Sequence, residues 1–276
     1  MILSSTKGAG IAILLLGSLL LSAYQLAAQN QPATAPALTV RAAILGEENT
    51  RTPEISTAEL ERLLASTSVV LLDTRPHLEW ALGHIPGALN VAPKPGMTMS
   101  QYTSDVTEVE RLVGGDKTRP LVLYCNGPFC GKSKRVSEEL LAAGYSNVRR
   151  YQLGAPVWRA LGGVMVMELD GVRHVLKNDR TAVFIDAREP SESAAGSLNG
   201  ARSIARSKVL SGKDVGEIKA AKDDGRLPME DHNTRIIVFG RDAQQARAVA
   251  EAIAREAFHN VSYFEGELRA LLGLER

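Results

Sequence analysis

The chain has 276 residues, 45% of them hydrophobic, and its 32 lysines and arginines nearly balance 31 aspartates and glutamates, leaving a formal net charge of +1. This length suits one large domain or two small ones of ordinary globular composition. The near-neutral charge gives no electrostatic reason to expect nucleic-acid binding, two cysteines with five scattered histidines fit no zinc pattern, and no resident cofactor is expected.

The N-terminal end is set apart from the rest. Lys7 precedes dense apolar runs at 11–16 and 19–21, and the small residues Ala23, Ala27 and Ala28 follow. Residues 1–28 therefore read as a secretory signal peptide, with cleavage after Ala28 or at the small-x-small stretch Ala33-Thr34-Ala35. The rival is an uncleaved anchor, because 8–28 provides the ~20 residues that a bilayer span needs. Ser22, Tyr24 and Gln25 weigh against that rival, and the lack of a cysteine after the apolar run argues against a lipoprotein. Either way the folded part is expected to be exported, in the periplasm or an equivalent space, or anchored to the membrane by this segment. Residues 29–54 are expected to be a flexible linker, polar and Pro/Ala-rich over QNQPATAPA (29–37).

Order is expected to begin near Ile55. Ser56 and Glu59 form a Ser-x-x-Glu capping box ahead of a short helix through Leu60, Leu63 and Leu64. Residues 69–72, VVLL, are too compact for a helix and read as a buried parallel strand. An internal repeat then emerges. DTRPHLEWALGHIPGALNV (73–91) recurs as DAREPSESAAGSLNGARSI (186–204), at a constant spacing of 113 from Asp73 to Asp186 and from Ala88 to Ala201. LVLYC (121–125) matches IIVFG (236–240) at a spacing of 115, and Asn147-Val148 matches Asn260-Val261 at 113 again. The second copy thus has two residues fewer between its strand and its helix. Helices are expected at 133–143, with Val136 and Leu140 inward, and at 243–257, with Val249 and Ile253 inward; Gly144 sits where a C-cap glycine belongs. Alternating strands and helices predict an α/β fold: two tandem domains, 55–168 and 172–276, each a mainly parallel sheet flanked by helices.

Both cysteines lie in CNGPFCGKS (125–133), between the apolar strand and the helix. Loop amides and a helix N-terminus favour an anion, and a thiolate is one, so Cys125 reads as an activated nucleophile. In an oxidising compartment Cys125 and Cys130 can also pair as a disulfide that pins the loop, although so small a loop gains little by chain entropy. Alternatively, Cys130 is a resolving thiol that attacks a persulfide or sulfenic acid on Cys125.

Asp73, Arg75, Glu79, Trp80, Gly83, His84, Ile85, Pro86, Gly87, Ala88 and Asn90, followed by a strand ending in Cys125, resemble the signature of the rhodanese (thiosulfate sulfurtransferase) family. The second half resembles a degenerate member, with Gly240 at the nucleophile position, Ser197 for His84 and Asn199 for Pro86. The resemblance implies a persulfide on Cys125, formed from a small anionic donor such as thiosulfate and passed to cyanide, a small thiol or a partner protein's thiol. It also implies a backbone anion cradle from the loop Asn126, Gly127, Pro128, Phe129, Cys130, Gly131 and Lys132. Lys132, at the loop exit, reads equally as a contact to an anionic donor and as a solvated lysine at the helix start. The loop is two residues longer than the family's short bacterial form. Phosphatases of the same fold carry an arginine six residues after the cysteine, and Gly131 stands there instead.

Asp73 and Arg75 are expected at the mouth of the site, Asp73 ordering the loop through its amides. The structural alternative pairs Arg75 with Glu79, and it is favoured because both halves keep these residues while one carries a nucleophile. His84 reads as a turn cap and strand brace rather than a general base, and Trp80 and Trp158 read as core. Competing readings of the whole chain are a sulfurtransferase, a non-enzymatic sulfur carrier or thiol-redox module using Cys125 and Cys130, and a binding module without chemistry.

Overall fold

Strands β1 (Val70–Asp73), β2 (Leu89–Asn90), β3 (Leu121–Tyr124) and β4 (Val148–Tyr151) pair in parallel in the order β2-β1-β3-β4. All four residues of β3 are buried, as expected of a central strand covered on both faces. One face packs Leu121 and Leu123 with Val109, Val136 and Leu140; the other packs Val122 and Tyr124 with Leu60, Leu71, Ile85 and Trp158. The covering helices are α1 (Thr57–Ala65), α2 (His77–Ala81), α3 (Asp105–Leu112), α4 (Gly131–Ala142) and α5 (Gly154–Ala160). This computed structural model describes residues 39–98, 102, 104–128 and 130–275; the segment expected to be a signal, the start of the expected linker and Phe129 lie outside them.

The second half repeats the plan. Strands β5 (Met165–Met167), β6 (Val183–Asp186), β7 (Arg202–Ser203), β8 (Ile236–Phe239) and β9 (Val261–Phe264) form a parallel sheet ordered β5-β9-β8-β6-β7. Helices α6 (Leu169–Asn178), α7 (Pro190–Ala194), α8 (Gly216–Asp223), α9 (Ala243–Ala254) and α10 (Leu268–Leu272) flank it. The α/β architecture of two tandem parallel-sheet domains is therefore as the sequence predicts.

Several local expectations need correction. Residues 165–167 fall within the first domain as the sequence divides it, yet β5 pairs with β9 at the edge of the second sheet. Residues 39–54 are not a free tether. Glu54 bridges Arg150 beside β4, and Glu47 lies 2.8 Å from the buried Arg150 and 3.2 Å from Lys134. Only half of the capping box forms: Ser56 Oγ accepts from the Glu59 amide, while the Glu59 carboxylate turns to Arg149 at 3.1 Å. Helix α4 starts two residues earlier than expected, at Gly131, and α9 stops at Ala254, before Ala257 turns left-handed at φ +65°.

The halves join through main chain. His84 and Val166 exchange N–H···O bonds of 2.9 and 2.8 Å, and the Glu168 amide donates to the Ala81 carbonyl at 2.9 Å. Arg159 and Arg235 each donate across the junction to a backbone carbonyl, of His259 and Leu82.

Candidate functional site

From β1 the chain crosses to β2 on one side, and β3 is laid down on the other. The strand order reverses between β1 and β3, and open parallel sheets bind ligands beyond the carboxyl ends at such a point. Cys125 stands there, directly after Tyr124. It is 4% exposed, Asn126 is exposed, and Pro128 and Cys130 are partly covered.

Cys125 and Cys130 are joined as a disulfide with their Cα atoms 6.2 Å apart. Gly127 makes this closure possible: at φ +95° it occupies a region closed to most side chains, and its carbonyl accepts from the Cys130 amide at 3.0 Å. That turn folds Cys130 back over Cys125. It also consumes one amide expected in the anion cradle, and Pro128 has none to offer. Cys130 is the N-cap of α4 and makes no side-chain cap bond, so the helix's first amides face the loop without a side-chain acceptor there.

Sequence reasoning missed Gly154, which supports the loop from below. It adopts φ +66° at the start of α5, and a Cβ on it would lie 2.5 Å from both the Cys125 carbonyl oxygen and the Gly127 nitrogen. The neighbouring Ala155 amide donates to the Cys125 carbonyl at 3.1 Å. The available signal was a glycine opening the helix that follows the fourth strand. A buried polar cluster missed in the same way lies under the other arm. Gln152 bridges Ser133 Oγ and the Pro128 carbonyl, and it accepts from Arg150. Arg150 is fully buried, and its Nε and Nη1 have no partner among the described residues. Glu47 balances its charge, and Arg150 with Lys134 holds the Glu47 carboxyl below its usual range against a desolvation that works the other way.

Asp73 and Arg75 are buried behind the site rather than at its mouth. Asp73 accepts from the Arg75 amide (2.9 Å), the Arg75 guanidinium (2.5 Å at Oδ2) and Tyr124 Oη (2.6 Å); Arg75 also donates to the Gly83 carbonyl. Burial alone would lower the Arg75 pKa, but Asp73 holds it above the usual guanidinium value; burial and Asp73 raise Tyr124. The expected Arg75–Glu79 pair does not form, since Asp73 is two residues away on the strand end and takes the guanidinium at short range. Nor, among the described residues, does the Asp73 side chain accept from a 125–132 amide; the loop is reached through Thr74, whose amide and hydroxyl both donate to the Tyr124 carbonyl. Glu79 instead accepts from Asn126 Nδ2 at 2.5 Å, which places it, not Arg75, against the loop.

Lys132 lies at the loop exit, partly exposed, with Nζ 3.7 Å from Asp105. Arg135 holds the same carboxylate more closely, at 2.6 Å, and Tyr102 donates to it as well. His84 lies at the junction of the halves. Its ring stacks on Trp80 at 4.5 Å, Nδ1 meets the Trp80 carbonyl at 3.0 Å, and Glu168 stands 3.8 Å from Nε2. Burial pushes its pKa down to about 4 against the pull of the Trp80 carbonyl and Asp73, so the imidazole is neutral and braces the junction. Trp158 is buried, its indole bonded to the Val164 carbonyl.

The second half, without a cysteine at the position matching Cys125, keeps the same framework. Arg188 repeats the Arg75 bonds, to Asp186 and to the Gly196 carbonyl, and Ser193 and Ser197 donate to Asp186 where Tyr124 serves Asp73. At the nucleophile position Gly240 is followed by Arg241, whose amide donates to Gln245 Oε1, while Asp242 caps α9 by accepting from the Gln245 amide at 2.8 Å. A side-chain carboxylate thus occupies the helix end that the first half leaves to its loop. A cavity of about 760 Å³ lies between the halves, lined by Leu71, Pro86, Trp158, Arg247 and Tyr263 among others. Among the described residues, none of its lining comes from the 125–132 loop.

Known proteins place these observations in a family. An HTH-type transcriptional regulator of Mycobacterium tuberculosis, Rv0324, is 35% identical over 120 residues, 44% of this chain and 47% of its own length. Thiosulfate:glutathione sulfurtransferase of Saccharomyces cerevisiae is 30% identical over 100 residues, 35% of this chain and 68% of the yeast protein. Among solved structures, thiosulfate sulfurtransferase from Pseudomonas aeruginosa aligns over 77% of this chain and 43% of its own, at 20% identity and a TM-score of 0.35. The chain thus spans about half the length of the regulator and of that solved chain. The family model for the rhodanese-like domain matches twice, over residues 56–161 and 172–272. With most of its length accounted for by these two matches, the chain belongs to the rhodanese-like domain family and carries two tandem copies of that domain.

Proposed function

We propose that this protein is a sulfurtransferase whose nucleophile is Cys125 in its reduced form. The observation that carries the reading is the placement of a cysteine at the strand-order reversal, against a helix N-terminus that no side chain caps, while the sister half fills the same place with Asp242. Helix amides and dipole lower a thiol pKa and favour an anionic donor together. The activity named for the yeast relative, from thiosulfate to glutathione, supplies the substrate class.

The Cys125 thiolate attacks the outer sulfur of a donor such as thiosulfate. The sulfur–sulfur bond breaks, its electron pair leaves with sulfite, and a persulfide remains on Cys125. An acceptor thiolate or cyanide then takes the outer sulfur and the Cys125 thiolate returns. Lys132, held only loosely by Asp105, attracts the anionic donor. The joined cysteines must be reduced before the cycle starts. Export of the chain, with or without retention of the N-terminal apolar segment, completes the reading and places the site where thiols oxidise readily.

The test is intact mass spectrometry of the reduced protein before and after thiosulfate, alongside sulfite release. Sulfite release that requires Cys125 is expected, and it disappears in Cys125→Ser. Sulfite release retained in that variant refutes Cys125 as the nucleophile.

A further inference from the structure

Cys130 is half-buried, five residues from Cys125, and already bonded to it. The Gly127 turn aims it there, through the Cys130 amide bond to the Gly127 carbonyl. Cys125 itself is 4% exposed, so an external acceptor thiol has a narrow approach, whereas Cys130 needs none. An intramolecular thiol at this separation competes at a high effective concentration.

We infer that Cys130 is the thiol that first discharges the persulfide, and that the protein releases the transferred sulfur as hydrogen sulfide. This inference rests on the proposed persulfide at Cys125. The Cys130 thiolate attacks Cys125 Sγ, the sulfur to which it is bonded in the structure. The bond from Sγ to the outer sulfur breaks and its electron pair leaves with that sulfur. The departing sulfur takes up the proton that Cys130 lost on ionising and a second one from water, giving hydrogen sulfide and the Cys125–Cys130 disulfide. The sulfane sulfur is reduced by two electrons and the two cysteines are oxidised by two, so no further oxidant is required.

A dithiol reductant then closes the cycle. It attacks Cys130, the more accessible sulfur, and expels Cys125 as a thiolate, the leaving group that the helix N-terminus stabilises. The net reaction converts thiosulfate and a dithiol to sulfite, hydrogen sulfide and a disulfide. The joined cysteines in the structure are, on this reading, the state between sulfide release and re-reduction.

The experiment is a single turnover. The full chain is reduced, freed of reductant and mixed with thiosulfate; sulfite, sulfide, free thiols and intact mass are then measured. The wild type should release one sulfite and one sulfide per molecule, lose both thiols and retain no added sulfur. Cys130→Ser, or Cys130→Ala if the serine variant folds poorly, should still release sulfite, hold one added sulfur on Cys125, and yield sulfide at least about tenfold more slowly. Wild-type protein that releases sulfite, keeps the added sulfur and yields no sulfide overturns the inference while leaving Cys125 as the nucleophile. Absence of sulfite from wild type and variant alike overturns the inference together with the transfer reading beneath it.

Discussion

Replacing Gly154 by alanine puts a methyl group where the loop's backbone already is. At φ +66°, an L side chain costs roughly 1–2 kcal/mol for the left-handed conformation alone. The new Cβ would lie 2.5 Å from the Cys125 oxygen, 2.5 Å from the Gly127 nitrogen and 2.8 Å from the Gly127 Cα, all of them backbone atoms that no rotamer change can move. Relieving such overpacking costs typically 1–3 kcal/mol. The displaced loop also weakens the 3.1 Å bond from the Ala155 amide to the Cys125 carbonyl, worth about 1 kcal/mol. The variant should therefore lose about 3–6 kcal/mol, a large share of the ~5–15 kcal/mol typical of a domain. Urea unfolding reads the loss as a lower midpoint. Sulfite release from thiosulfate, measured well below that midpoint, should fall because the Cys125 carbonyl and the Gly127 turn have moved. Gly131→Ala is the control, since its Cβ meets nothing within 4 Å, and it should change stability by less than about 0.5 kcal/mol. A Gly154→Ala protein as stable and as active as the wild type would refute the claim that this glycine seats the loop.

Other perturbations address the framework and the donor. Asp73→Ala removes the acceptor shared by Arg75 and Tyr124 and leaves a buried guanidinium with the Gly83 carbonyl, so stability should drop by about 3–5 kcal/mol in urea unfolding; a loss under about 1 kcal/mol would show that the pair is not held as described. His84 is buried with its pKa lowered to about 4, whereas an unfolded histidine titrates near 6.5. The unfolded chain therefore binds the proton first as pH falls. The contribution of His84 is complete above about pH 6.5 and is lost towards pH 4, amounting to ~3 kcal/mol. Wild-type stability should decline more steeply across that window than that of His84→Leu, and parallel curves would contradict a neutral buried imidazole. Lys132→Ala should raise KM for thiosulfate by roughly threefold to tenfold, with kcat little changed and a weaker salt dependence. An unchanged KM would assign Lys132 to Asp105 alone.

Much of the fold was legible along the chain. Apolar runs such as LVLY and IIVF are short, rich in β-branched or aromatic residues and bounded by turn signals, so they read as buried parallel strands without knowledge of their partners. The repeat from Asp73 to Asp186 revealed two copies because both use the same local device: an aspartate at a strand end that holds the arginine two residues on. Cys125 was legible for the same reason, since its strand, loop and helix are contiguous.

What escaped depends on residues brought together from distant parts of the chain. Which carboxylate meets Arg75 is decided at short range by the strand end, and Glu79 is freed to reach Asn126, 47 positions away. Residues 39–54 look like linker by composition, yet a fully buried Arg150 draws Glu47 onto the first sheet across 103 positions. The α/β class, the two copies and the cysteine-bearing loop are written along the chain, because they follow from periodicity and from motifs read within one stretch. That β5 joins the second sheet, that Gly154 seats the loop and that Cys130 rests on Cys125 emerge from the folded chain alone. Each of these depends on sheet pairing, steric fit or loop closure, and no local pattern of side chains encodes those distances.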